Sequence, residues 1–425
     1  MNASTAPADP VLLRQVRLLD PVADTDQVVD VLIAQGKVAQ IAASLGDGPE
    51  DARSQDCSGL ILGPGLVDLY SQCGEPGFEE RETLASLWAA ARRGGYTRIG
   101  LLPGTRPPVD NAAALAFVQE HIPADGPCLL PWAAVTLGCR GEQLTELAEL
   151  AEGKPLGFTD GQPLRDLALL RRLLEYAHPL GLPIMLWPLN RGLAGDGVMR
   201  EGHWSLQFGL PGNPAMSESA ALAALLEVVA ATGTPVHLMR ISTARGVELI
   251  RGAKARGLPV TASVPWFHLL LTDEQVRSYN PSLHTDPPLG QESDRAALLT
   301  GLRSGVLDAI AVDHTPLTYE EKTVPFAEAP PGMIGLELVL PLLWQALVEP
   351  GLWTPLELWR SLSTDPAWCL NQDPPMITEG QATEMILFDP AQTWLVEIAN
   401  FKSFSHNTPW LGQSLKGQVL QMWCT

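Results

Sequence analysis

Residues 60–77 read Leu-Ile-Leu-Gly-Pro-Gly-Leu-Val-Asp-Leu-Tyr-Ser-Gln-Cys-Gly-Glu-Pro-Gly. A short apolar run opens this stretch and a loop rich in Gly and Pro closes it, which is how a strand buried on both faces ends. Leu84, Leu87, Trp88 and Ala91 follow at helical spacing, so the unit is a strand and then a helix. The alternation continues to about residue 370. Strand candidates fall at 60–69, 97–102, 129–135, 156–159, 183–187, 235–241, 260–264 and 308–312, with helical intervals such as Leu167, Leu170 and Leu174 between them. Eight strands interleaved with helices predict a parallel (β/α)8 TIM-type barrel. Outside it, short β-type runs occur at 11–16, 28–33 and 38–41 and again at 384–388 and 394–398. The expected division is therefore a small β-sandwich built from residues 1–60 and 371–425, flanking a barrel over 61–370.

The chain has 425 residues, with 28 Lys and Arg against 48 Asp and Glu, a formal charge of −20. So acidic a surface repels phosphate backbones and anionic lipid, so no nucleic-acid or membrane-surface partner is expected. The apolar stretches 220–231 and 333–347 are interrupted by Glu227, Glu337 and Gln345, too soon for a membrane span. MNASTAPADP at the start has neither a basic nor an apolar segment and is not read as a signal peptide. Cys57, Cys73, Cys128, Cys139, Cys369 and Cys424 are scattered without a CxxC pair, as expected of free thiols in a reducing cytoplasm.

In such a barrel the chemistry sits after the C-terminal ends of the strands. Those segments read Pro64-Gly65-Leu66-Val67-Asp68-Leu69-Tyr70-Ser71-Gln72-Cys73-Gly74-Glu75-Pro76-Gly77, then Leu102-Pro103-Gly104-Thr105, Thr159-Asp160-Gly161, Ser242-Thr243-Ala244-Arg245, Pro287-Pro288-Leu289, Asp308-Ala309-Ile310-Ala311-Val312-Asp313-His314-Thr315-Pro316 and Asn407-Thr408-Pro409-Trp410-Leu411-Gly412. In this order, over nearly the whole chain, they resemble the dihydroorotase branch of the amidohydrolase superfamily. The resemblance implies zinc-dependent, reversible cyclisation of carbamoyl aspartate to dihydroorotate in pyrimidine synthesis. There a metal-activated hydroxide attacks a cyclic amide and an aspartate carries the proton.

The family's pattern also says which positions hold the metal, and here they differ. Tyr70 and Gln72 stand in the HxH slots of the first strand, Trp187 in the histidine slot of the fifth and Arg240 in that of the sixth. The S-D-D-G segment is one Asp short, which leaves open whether Asp160 fills the bridging position. Asp313 keeps the place of the eighth-strand catalytic aspartate. Of the substrate groups, Gly74 replaces the carboxylate-binding arginine, Gly104 an asparagine and Asp286 another asparagine, while Gly290 replaces an arginine. Glycine cannot supply a bidentate donor fork.

No zinc or other cofactor is therefore expected, although the family uses zinc. Tyr70 and Trp187 are expected to fill the pocket, and Arg240 to neutralise Asp313, with Asp160 a further acceptor. His237 is read as a hydrogen-bonded core residue, and His268, His284 and His314 as pocket-wall remnants. His121, His178, His203 and His406 are placed on surface or loops. The resemblance extends to noncatalytic dihydroorotase-like chains that assemble with aspartate carbamoyltransferase. It thus implies an inactive structural or regulatory partner of that transferase, in a homo-oligomer. An active cyclic-amide hydrolase with a rearranged site and a self-assembling noncatalytic scaffold of the same fold are the alternatives.

Overall fold

Val, Ile and Leu on alternate positions near the N-terminus pair into a sheet with one apolar face. In a computed structural model of the chain, which describes residues 10–46, 48, 49 and 51–424, β1 (Val11–Asp20) lies antiparallel to β2 (Thr25–Ala34), and β2 antiparallel to β3 (Lys37–Ala42). β4 (Arg53–Asp56) and β5 (Ile61–Pro64) run parallel to successive halves of β1. β5 also pairs with β15 (Glu384–Leu395), and β15 with β16 (Ser414–Cys424), so both chain ends share one seven-stranded sheet. Val16, Val31, Leu62, Met385 and Leu387 form its buried face. The reading of MNASTAPADP falls, up to Asp9, outside the described residues.

Three strand assignments change, the third being 156–159, where only Phe158 bridges. Residues 60–69 are not one strand: β5 belongs to the terminal sheet, and the first barrel strand, β6 (Leu66–Ser71), starts after Gly65. A side chain at Gly65 would collide with Thr97, its Cβ 2.2 Å from Oγ1. The chain therefore crosses between sheets where only glycine fits. The two tail strands expected at 384–388 and 394–398 are instead one irregular strand, β15, whose register shifts near Asp389 as its carboxylate accepts from the Ala391 and Gln392 amides. Ile398 lies beyond it in a turn.

β6, β7 (Tyr96–Leu101) and β8 (Cys128–Pro131) form a parallel run. A second run comprises β9 (Met185–Leu186), β12 (Val236–Leu238), β13 (Val260–Pro265) and β14 (Ala309–Ala311); β10 (Met199–Arg200) and β11 (Gly212–Asn213) pair outside it. The fourth barrel position is a single residue: Phe158 bridges in parallel to Ala133 and to Ile184. The ring closes where the Gln72 amide donates to the His314 carbonyl at 2.8 Å and the Val312 amide to Asp68 Oδ1 at 2.8 Å. No described helix is long and apolar enough to cross a membrane.

Candidate active-site pocket

Side chains at the C-terminal ends of β6, β9, β12 and β14 converge on the barrel mouth. Arg240, just past β12, and Asp313, just past β14, meet in a fork: Nε donates to Oδ2 at 2.8 Å and Nη2 to Oδ1 at 2.7 Å. Nη1 donates to the Gly161 carbonyl at 3.1 Å. Both residues are deeply buried, 4% and 3% exposed. Both also have left-handed backbone, with φ of 58° and 47°, a conformation that disfavours side chains and persists where the surroundings over-determine it. Burial alone would lower the Arg240 pKa; the charge and hydrogen bonds of Asp313 outweigh it, and the guanidinium stays cationic.

Aromatic rings box the pair in. The guanidinium lies 4.5 Å from the Trp187 ring centroid and 5.8 Å from that of Tyr70, within cation–π range. The Tyr70 hydroxyl accepts from the Arg240 amide at 3.0 Å and lies 3.2 Å from Ser263 Oγ. Burial, with Asp313 nearby, pushes the Tyr70 phenol far above its ordinary pKa, so it stays protonated. Below it, burial raises the Asp68 carboxyl to about 7, against the hydrogen bond from Ser71.

Asp160 does not join the Arg240 pair. Its Oδ1 accepts from the Val135 and Thr136 amides, both at 2.9 Å, and its Oδ2 from the Thr136 hydroxyl. The carboxylate braces the loop after β8, and Arg240 reaches only the neighbouring Gly161 carbonyl. Burial raises the Asp160 pKa to about 6, opposed by these hydrogen bonds.

Toward solvent, a cavity of about 200 Å³ remains, lined by Gln72, Arg81, Trp187, Arg191, Arg240 and Asp286 among others. Asp286 accepts from Arg191 Nη1 at 2.6 Å, and Arg81 forks onto Glu321. Each of these three arginines thus already holds a carboxylate. Gln72, Gly104 and Asp160 line a smaller cavity of about 80 Å³. A Cβ on Gly74 would sit 2.0 Å from the Phe78 carbonyl oxygen, whereas one on Gly104 would have nothing within 4 Å.

The donors at the mouth do not fit zinc. Zinc takes lone pairs from imidazole, thiolate or carboxylate. Here the positions offer a protonated phenol, a neutral amide, an indole without an acceptor and a cation. The carboxylate that remains is bound by that cation. Among the described residues no three His, Cys, Asp or Glu side chains are placed to hold a metal ion. His237 Nδ1 lies 2.8 Å from Thr261 Oγ1 and its Nε2 2.8 Å from Ser263 Oγ; desolvation lowers its pKa to about 3. His314 accepts from the Gly335 amide through Nδ1, with Nε2 3.4 Å from Glu82. His268 and His284 are buried but line neither mouth cavity.

The family model for dihydro-orotase-like proteins matches residues 59–245. A probable dihydroorotase-like protein of Synechocystis sp. is 46% identical over 436 residues, covering 96% of this chain and 98% of the relative. The chain belongs to the dihydroorotase-like family. A dihydroorotase of Pelotomaculum thermopropionicum is 38% identical over 96% of this dihydroorotase-like chain and 95% of its own length. Among solved structures, L-hydantoinase (dihydropyrimidinase) of Arthrobacter aurescens superposes with a TM-score of 0.84 at 20% identity, covering 98% of this chain and 97% of that one. Dihydropyrimidinase of Brevibacillus agri gives 0.80 at 19% identity, covering 97% and 93%. These likenesses show the fold, a TIM-type barrel with a β-sandwich. Sequence reasoning missed Arg81, Glu321, Gln162 and Arg191 in the mouth of this dihydroorotase-like chain. Only Arg191 carried a signal, directly after the fifth-strand segment.

Proposed function

We propose that this chain is a noncatalytic dihydroorotase-like protein of pyrimidine biosynthesis, serving as a structural or regulatory partner of aspartate carbamoyltransferase. The observation that supports the silent reading is the Arg240–Asp313 fork. A carboxylate that accepts two charge-assisted hydrogen bonds from a buried, permanently charged guanidinium is a poor proton acceptor. Arg240 brings positive charge to the Asp313 carboxylate, where the family's pattern puts a metal ion, but it has no open coordination position and cannot generate a hydroxide nucleophile.

The substrate side points the same way. Carbamoyl aspartate is a dianion, and Arg81 and Arg240 are already held in forks by Glu321 and Asp313, while Arg191 holds Asp286 through Nη1 and keeps its other donors free. The family's binding arginine corresponds to Gly74, whose backbone is packed against Phe78. The transferase enters through the family resemblance, since noncatalytic members assemble with it. Co-expression with the transferase from the same organism, followed by affinity purification and a dihydroorotate hydrolysis assay, tests both halves. The expected result is a co-purifying complex in which this chain contributes no hydrolysis. Turnover by the isolated chain would overturn the silent reading, and a transferase that never co-purifies would overturn the partnership.

A further inference from the structure

The helix Leu167–Ala177 packs beside the helix Met216–Thr232 on the outside of the barrel. The second helix, MSESAALAALLEVVAAT, is apolar around nearly its whole circumference, which is unusual for an outer helix. Between the two lies a cavity of about 450 Å³, within the range of small-molecule sites. Ala220, Ala221 and Ala224 form one wall, where short side chains leave the space open, and Leu170, Leu186 and Leu225 form the floor. Leu167 at its edge is 51% exposed.

The charge pattern of the lining is the informative part. Two arginines, Arg165 and Arg191, border the cavity and no carboxylate does, in a chain with 48 acidic and 28 basic residues. Arg165 has no hydrogen-bond or ion-pair partner among the described residues. Arg191 uses only Nη1 on Asp286 and lies 4.8 Å from the Trp187 ring centroid, leaving Nε and Nη2 without an acceptor. Unpaired guanidinium donors beside an apolar chamber are complementary to a molecule with one anionic end and an apolar body.

The geometry points to a second ligand site on the barrel flank that takes a small organic carboxylate with an aromatic or branched aliphatic body, its carboxylate on Arg165 and Arg191. The site lies outside the barrel mouth but shares a wall with it, since Trp187 and Arg191 line both cavities. A carboxylate on Nε and Nη2 of Arg191 shares that guanidinium with Asp286 on Nη1, which ties occupancy of the flank to the rim of the mouth. This inference stands on the flank geometry alone and survives if the silent reading fails.

Calorimetric titration of the full-length protein with 4-phenylbutyrate, and with neutral 4-phenylbutyramide as control, tests it. The acid is expected to saturate one site and bind about tenfold more tightly than the amide, the effect of a charge-assisted hydrogen bond. Arg165→Gln removes an exposed, unpartnered side chain and leaves folding intact; it is expected to abolish that preference. Ala224→Phe fills the chamber and is expected to abolish binding of both probes. Equal affinity for acid and amide, acid binding unchanged by Arg165→Gln, or no saturable binding would each overturn the proposal. So would a concentration-dependent dimer dispersed by Ala224→Phe, because a second copy would then cover the surface.

Discussion

The barrel mouth carries two arginine–aspartate pairs of nearly equal length and very different setting. Arg240–Asp313, at 2.7 Å, has side chains 5% and 3% exposed and is boxed in by Tyr70 and Trp187; Arg191–Asp286, at 2.6 Å, has side chains 33% and 20% exposed on the rim. The inner pair makes the floor of the pocket a fixed part of the fold. The outer pair is solvated on one side and can exchange partners. Equal length does not mean equal energy: the inner pair is a two-bond fork and the outer a single bond, and the desolvation that makes a buried charge dependent on its partner is mostly absent at the rim.

The inner pair is where breaking the comparison costs most. Asp313→Asn leaves Arg240 buried without a counter-charge and is expected to destabilise the protein by about 3–5 kcal/mol. Denaturant unfolding reads this, and the double substitution Arg240→Met with Asp313→Leu should recover most of the loss. A single Asp313→Asn variant as stable as the parent would mean the pair is not structural. The glycines sharpen the same contrast at smaller scale. Gly74→Ala, which drives a Cβ into the Phe78 carbonyl, should cost about 1–3 kcal/mol. Gly104→Asn enters open space and should stay within about 0.5 kcal/mol.

Acid titration probes the inner wall from another side. The Asp160 pKa is raised by burial to about 6 from 3.8, so the folded state holds its proton where the unfolded chain has released it. Its contribution to stability is then complete below about pH 4 and declines as pH rises to about 6. Asp160→Asn is expected to flatten that part of the stability profile relative to the parent; an unchanged profile would remove the assignment. At the rim, Asp286→Asn should change stability by no more than about 1 kcal/mol.

How far the molecule was legible in its sequence follows the same division. Arg240 and Asp313 could be paired in advance because strand ends in a parallel barrel point their side chains into one mouth. The place of Asp160 stayed open because the partners of its carboxylate, the amides of Val135 and Thr136, belong to a turn whose path no periodicity encodes. Arg81, Glu321 and Arg191 escaped for a similar reason, since they lie on a turn and on two four-residue helices brought together only by tertiary structure. Among the strands, β16, Ser-Leu-Lys-Gly-Gln-Val-Leu-Gln-Met-Trp-Cys, went unread: Gly417 and the polar residues between its apolar ones break the pattern. Gly65 ended a strand inside what looked like one apolar run, because the strain of the crossing shows in the space around Thr97 and not in hydropathy.

In the proposed function Arg240 takes the electrostatic place of a metal ion beside Asp313. Elemental analysis of the protein purified from zinc-supplemented cells tests it most directly. Zinc far below one equivalent per chain, unchanged after dialysis against added zinc, is the expected result. Zinc near one equivalent, retained through dialysis and lost on Asp313→Asn, would contradict it.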